Sequence, residues 1–112
     1  MKKIARDGYS IERGEVFYLK KLDIIVVVIS NKLHNLLFKY LTIVLATEKN
    51  VDQVQESLEV FCELKEKKIK IVLSGFHTIN KHTLQASAIC LGKINEETME
   101  KLDDKIRAIL DL

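Results

Sequence analysis

The feature that most restricts the fold is the run "IIVVVIS" beginning at Ile24, so dense in β-branched side chains that a central strand is its best reading. Two further segments share that character, "YLTIVLAT" ending at Thr47 and "IKIVLSGF" from Ile69. "GEVFYL", Gly14 to Leu19, alternates as a half-buried strand does. Between "IIVVVIS" and "YLTIVLAT", the segment "NKLHNLLFK" fits either a loop or one or two turns of helix capped by Asn31. The longest apolar stretch, Leu22 to Ile29, is broken by Asp23 and is far shorter than the ~20 residues of a membrane helix, so no span is expected.

Residues 51–66 admit two patterns. Val51, Val54, Leu58, Phe61 and Leu64 follow helical spacing, whereas Leu58, Val60, Cys62 and Leu64 follow period two. The charged "KEKK" at 65–68 has the form of a hairpin tip and favours strands on either side. "LQASAICLG" reads as a last strand. From Asn95 the chain reads as a helix, with Asn95 as N-cap, Glu96 and Glu97 at the positive end of the dipole, and an apolar stripe of Met99, Leu102, Ile106, Ile109 and Leu110. Such a stripe packs on its own sheet or on a partner. The expected architecture is α+β: a small, mostly antiparallel barrel that hides its strand edges, closed by a C-terminal helix.

Of the 112 residues, 47% are hydrophobic and 30% charged, a composition that supports one core, and no Pro- or Gly/Ser-rich linker divides it. One domain over 1–112 is expected, with the order of residues 1–12 open. A net charge of +2 does not by itself indicate nucleic acid, which needs basic groups clustered in space. Cys62 and Cys90 lack metal-type spacing, His34 and His82 lack ligand partners, and no basic-then-apolar leader opens the chain. Neither metal nor cofactor is expected, and the simplest compartment is a reducing cytoplasm.

The order "RGEVFYL", "VVVISN", "TIVLAT", "IVLSGFHTINKHTL", "LGKINEETMEKLDDKI" resembles the MazF/PemK family of toxins from bacterial toxin–antitoxin systems. The resemblance runs from about Arg13 to the C-terminus. It implies an SH3-like barrel with a C-terminal helix, a homodimer, an antitoxin partner, and metal-independent cleavage of single-stranded RNA. Arg13 and Gly14 match the family's opening Arg-Gly, and Ser30 and Asn31 match the pair closing its second strand. Thr47 matches a threonine that looks catalytic or substrate-contacting, and Thr78, Ile79 and Lys81 match a pattern in which Ser74, His77 and Asn80 depart from the family's residues. Thr47 as a donor and His77 as an imidazole acid or base are the candidate catalytic pair, and Arg13, Ser30, Asn31 and Lys81 the candidate RNA contacts. His77 as an ordinary strand-end histidine and Thr47 as a loop cap are equally natural readings of those residues.

One departure is larger. The family's long Gly-rich loop, ending in an Arg-Pro whose arginine is catalytic, is replaced by "LKKLDII", so that Ile24 and Ile25 stand where Arg-Pro would be in a chain without proline. The competing expectation is therefore an inactive relative that binds an antitoxin peptide, nucleic acid or a protein target.

Overall fold

The computed structural model describes residues 2–3 and 11–110. Strands β1 (Lys2–Lys3), β2 (Glu15–Leu19), β3 (Ile24–Val28), β4 (Tyr40–Thr47), β5 (Glu59–Glu63), β6 (Lys68–Asn80) and β7 (Ala88–Lys93) make one sheet in the order β1-β7-β2-β3-β4-β6-β5. The β-branched runs are among these strands, and those joined by short connections, β2 to β3 and β5 to β6, pair directly, as do β3 and β4. Every pairing among them is antiparallel. The sheet curls into a half-barrel, and the helices are α1 (Lys32–Leu37), α2 (Lys81–Ser87) and α3 (Glu96–Leu110).

Alternation along the strands divides the apolar side chains into two cores, because successive residues point to opposite faces. On one face Val16, Val27, Val44, Val60 and Ile71 lie beneath α3, which contributes buried Leu102 and half-buried Met99, Ile106 and Ile109. The stripe on the last helix thus packs on its own sheet. Leu110 is the exception at 50% exposed, lying at the last residue of α3. On the other face Phe17, Val26, Val28, Leu41 and Ile43 close around Leu84 of α2 and Ile11.

Period two prevails in 51–66: Val60, Cys62 and Leu64 are buried, Phe61 is exposed, and no helix forms. The 65–68 hairpin is closed by Leu64 N–H donating to the Lys67 carbonyl at 2.7 Å. "LQASAICLG" is not wholly strand. Asn80 accepts from the His82 amide at 2.8 Å and caps α2, whose single buried residue is Leu84, so the strand begins only at Ala88. A cap directly after β6 offers the chain a local partner that a continuing strand would lack.

Two details of the ladder matter for the site. The β2–β3 turn is only residues 20–23, with Asp23 at φ 52° and its carboxylate accepting from the Tyr18 hydroxyl at 2.8 Å. Between β4 and β6 the register passes from Ile43↔His77 to Leu45↔Val72, so Leu73–Phe76 form a bulge with three residues more than β4 supplies. Such a bulge bends the strand and re-aims the side chains beyond it.

Candidate functional site

Gly14 sets the position of Arg13. Its φ of +91° is open to glycine, and a Cβ there would stand 3.2 Å from the Met99 sulfur. Its amide donates to the Val28 carbonyl at 2.7 Å, which lays Arg13 beside the end of β3. Arg13 Nε then donates to the Ile29 carbonyl at 2.7 Å, and the guanidinium forms a two-pronged ion pair with Asp103 on α3, Nη1 to Oδ2 at 3.1 Å and Nη2 to Oδ1.

Ser30 and Asn31 come next in the chain. The Ser30 hydroxyl donates to Asn35 Oδ1 at 2.5 Å and accepts from the Thr42 amide at 3.1 Å. Asn35, only 1% exposed, donates through Nδ2 to the carbonyls of Ile11 and Ser30, both at 2.9 Å. One amide therefore fastens α1 to the strand end and to the segment before β2. Asn31 caps α1 by accepting from the His34 amide at 2.8 Å, as its sequence position suggests. The result is a polar cavity of about 350 Å³ lined by Arg13, Ile29, Ser30, Asn31, His34 and Thr42.

Three of the six sequence candidates thus converge. Lys81 belongs one step behind them: its ammonium donates to the carbonyls of Asn35 and Leu36 at 2.9 and 3.3 Å, neutralising the negative end of α1. Thr47 and His77 are not brought together. Thr47 pairs with Lys70 and His77 with Ile43, four residues apart along β4, which is ~13 Å at strand rise. The Thr47 hydroxyl accepts from the Lys49 amide at 3.1 Å, the loop-capping role. His77 is exposed and lies across from Ile43 on the α2 face, whereas Thr42 and Thr78 belong to the α3 face with Arg13.

Thr47 lines a separate cavity of about 400 Å³ with Tyr18, Asp23, Ile24, Ile25 and Glu48 among others. The hydrogen bond to Asp23 raises the Tyr18 phenol above its ordinary pKa. Ile24, Ile25 and Thr47, which the resemblance sets against the family's arginine and threonine, are therefore neighbours, but the first two are apolar. Among the described residues no three His, Cys, Asp or Glu side chains gather in a way that could hold a metal, and no helix is long and apolar enough to cross a membrane.

The sequence does not mark His34, Asn35, Thr42 or Asp103 as site residues. The only signal for Asn35 is its place inside "LHNLL", a polar residue one helical turn from the cap.

Solved structures share this architecture. A mycobacterial endoribonuclease superposes with TM-score 0.76 at 18% identity, covering 93% of this chain and 94% of its own. A MazE–MazF crystal structure from Deinococcus radiodurans gives 0.74 at 13%, covering 93% and 99%. A mycobacterial endoribonuclease in complex with its cognate antitoxin gives 0.73 at 19%, covering 92% and 95%. No curated protein sequence matches. The family model described as "PemK-like, MazF-like toxin of type II toxin-antitoxin system" matches residues 13–110, from the arginine of the cavity to the end of α3, and the chain belongs to that family.

Proposed function

We propose that this protein is the toxin of a toxin–antitoxin pair and that it cleaves single-stranded RNA without a metal, using the Arg13 cavity as its phosphate and nucleotide contact. The observation that carries this reading is the convergence of Arg13, Ser30 and Asn31 with Thr42 and His34 around one polar cavity. A guanidinium suits a phosphodiester, and the amide and hydroxyl groups suit the 2′-hydroxyl and base edges of an unpaired strand. Fixed positive charge beside the scissile phosphate offsets the charge that grows on the phosphorane. The protein acts in the cytoplasm, in keeping with two free cysteines among its described residues. An antitoxin restrains it, as in the mycobacterial and Deinococcus complexes that share its fold.

It also pairs with itself. Leu33, Leu36, Leu37, Phe38 and Tyr40 are 55–66% exposed on α1 and the start of β4, a grouping that a lone soluble domain does not usually present to water. This patch adjoins the RNA cavity through His34 and Asn31.

The test is incubation of an unstructured RNA oligonucleotide with purified protein in excess EDTA. Cleavage is expected, and Arg13→Ala should weaken RNA binding across sequences and lower the salt slope by about one. RNA left intact at high protein concentration would refute the reading. A second reading, binding without cleavage, is favoured by Ile24 and Ile25 standing beside Thr47 where the family keeps its arginine. It predicts intact RNA together with retained affinity for RNA or for an acidic peptide.

A further inference from the structure

The cavity contains a titratable group that neither the sequence patterns nor the family's matched positions assign. We propose that His34 is the general base of this cavity, taking the 2′-hydroxyl proton of bound single-stranded RNA on its Nδ1. The assignment rests on the RNA-cleaving reading of the same site.

Four observations carry it. His34 lines the cavity together with Arg13, Ser30, Asn31 and Thr42. Its Nε2 lies 3.1 Å from the Tyr40 carbonyl oxygen, and because a carbonyl only accepts, Nε2 carries the hydrogen and Nδ1 the lone pair. The ring is held on another side by Phe38, centroids 4.7 Å apart at 32°. Its backbone amide is fixed by the Asn31 cap. A base held at three points needs little reorganisation when substrate arrives. The groups on the surrounding elements are Glu12 and Arg13 before β2, Asp103 of α3 paired to Arg13, Lys32 of α1, Lys81 of α2 on the Asn35 and Leu36 carbonyls, Lys39 in the α1–β4 connection, and the Tyr40 carbonyl and Thr42 of β4. His77, by contrast, lies on the α2 face of the sheet.

The step balances without a cofactor. His34 Nδ1 accepts the 2′-hydroxyl proton, the 2′-oxygen forms a bond to phosphorus, and the bond from phosphorus to the 5′-oxygen breaks. The departing oxygen takes a proton from water, leaving a 2′,3′-cyclic phosphate and a 5′-hydroxyl; the imidazolium returns its proton to the hydroxide so formed.

The experiment measures cleavage of a fluorescent, unstructured RNA in EDTA across pH. The wild type is expected to show an acidic limb in its pH–rate profile. His34→Gln should lower kcat by about 10²-fold or more with KM changed less than about threefold, and should lose that limb. His82→Gln, on the exposed face of α2, should behave as wild type. Because the His34 side chain is partly exposed, the variant should melt near the wild-type temperature, and the wild-type profile is a second measurement that needs no variant. If the wild type leaves RNA intact, the RNA-cleaving reading fails and this assignment with it. If the wild type cuts and His34→Gln cuts equally well, or the acidic limb is absent, or His77→Gln alone abolishes cleavage, the assignment is overturned while the reading of the cavity stands.

Discussion

At the residue scale, the site depends on one buried amide behind it. Asn35 holds three segments together with one amide: it accepts from Ser30 and donates to Ile11 and Ser30. Asn35→Ala leaves two buried carbonyls and a hydroxyl without their partner, and the cost expected is about 2–3 kcal/mol, read as a fall in urea midpoint at unchanged m-value. RNA affinity should fall with it, because Ser30 and Asn31 lose their anchor. Asp103 acts in the opposite sense. It is the counter-charge to Arg13, with both side chains about one-third exposed (29% and 37%), so its worth to stability is small, roughly 0.5 kcal/mol. Asp103→Asn removes an acid facing the phosphate site, and the measured RNA affinity should rise several-fold at low salt. An unchanged or weaker affinity would mean that holding the guanidinium in place matters more than freeing its charge.

At the element scale, the β5–β6 hairpin carries a buried ion pair. Lys70 is 8% exposed and reaches Glu59 Oε1 at 3.3 Å and the Gln53 carbonyl at 3.1 Å, while Glu59 accepts from the Gln55 amide at 2.8 Å. The amide bond from Gln55 and then Lys70 hold the Glu59 carboxyl below its ordinary pKa against the opposing effect of burial. A depressed folded-state pKa contributes stability above the unfolded value, about 4.3, that is lost as pH falls through the folded value. Thermal melts should therefore fall below about pH 4, and Glu59→Gln should flatten that limb while lowering the melt at neutral pH, where Lys70 is left buried without its counter-charge. The same element shows why period two prevailed in 51–66. Two strands flanking a tight hairpin bury Val60, Cys62 and Ile69, Ile71 against α3, whereas a helix there would have left β6 as a bare edge.

At the scale of the whole molecule, α3 joins the core to the site. Leu102 is fully buried in the α3-side core, and the next residue is the partner of Arg13. Leu102→Ala should cost about 2–5 kcal/mol through the cavity it leaves. Loss of activity should exceed loss of folded protein, since a loosened α3 also releases Arg13; matched declines in both would show the helix to be structural only. The α1 patch belongs to this scale as well. Leu37→Glu should shift sedimentation from dimer to monomer while leaving the stability of the monomer within about 0.5 kcal/mol, because Leu37 is 66% exposed. A wild-type protein that sediments as a monomer would remove the patch's assigned role.

The sequence by itself marked most of the strands and the helix from Asn95 with its cap, because these rest on local periodicity and on hydrogen bonds between residues three or four apart; it left Asn31 open between a cap and a loop, did not mark α2, and reached the family only through the resemblance of its segments in order. The same resemblance marked Arg13, Ser30 and Asn31, which the structure brings to one cavity. Only the tertiary structure decided which groups those residues meet. That Asp103 lies against Arg13, ninety residues away, comes from how α3 crosses the sheet. The separation of Thr47 from His77 comes from the register of β4 against β6, which periodicity does not specify. His34 enters the cavity because α1 folds back on β4, where its ring meets the Tyr40 carbonyl, while the buried amide of Asn35 ties α1 to Ile11 and the ammonium of Lys81 holds its end; none of these announces its partner in the linear chain.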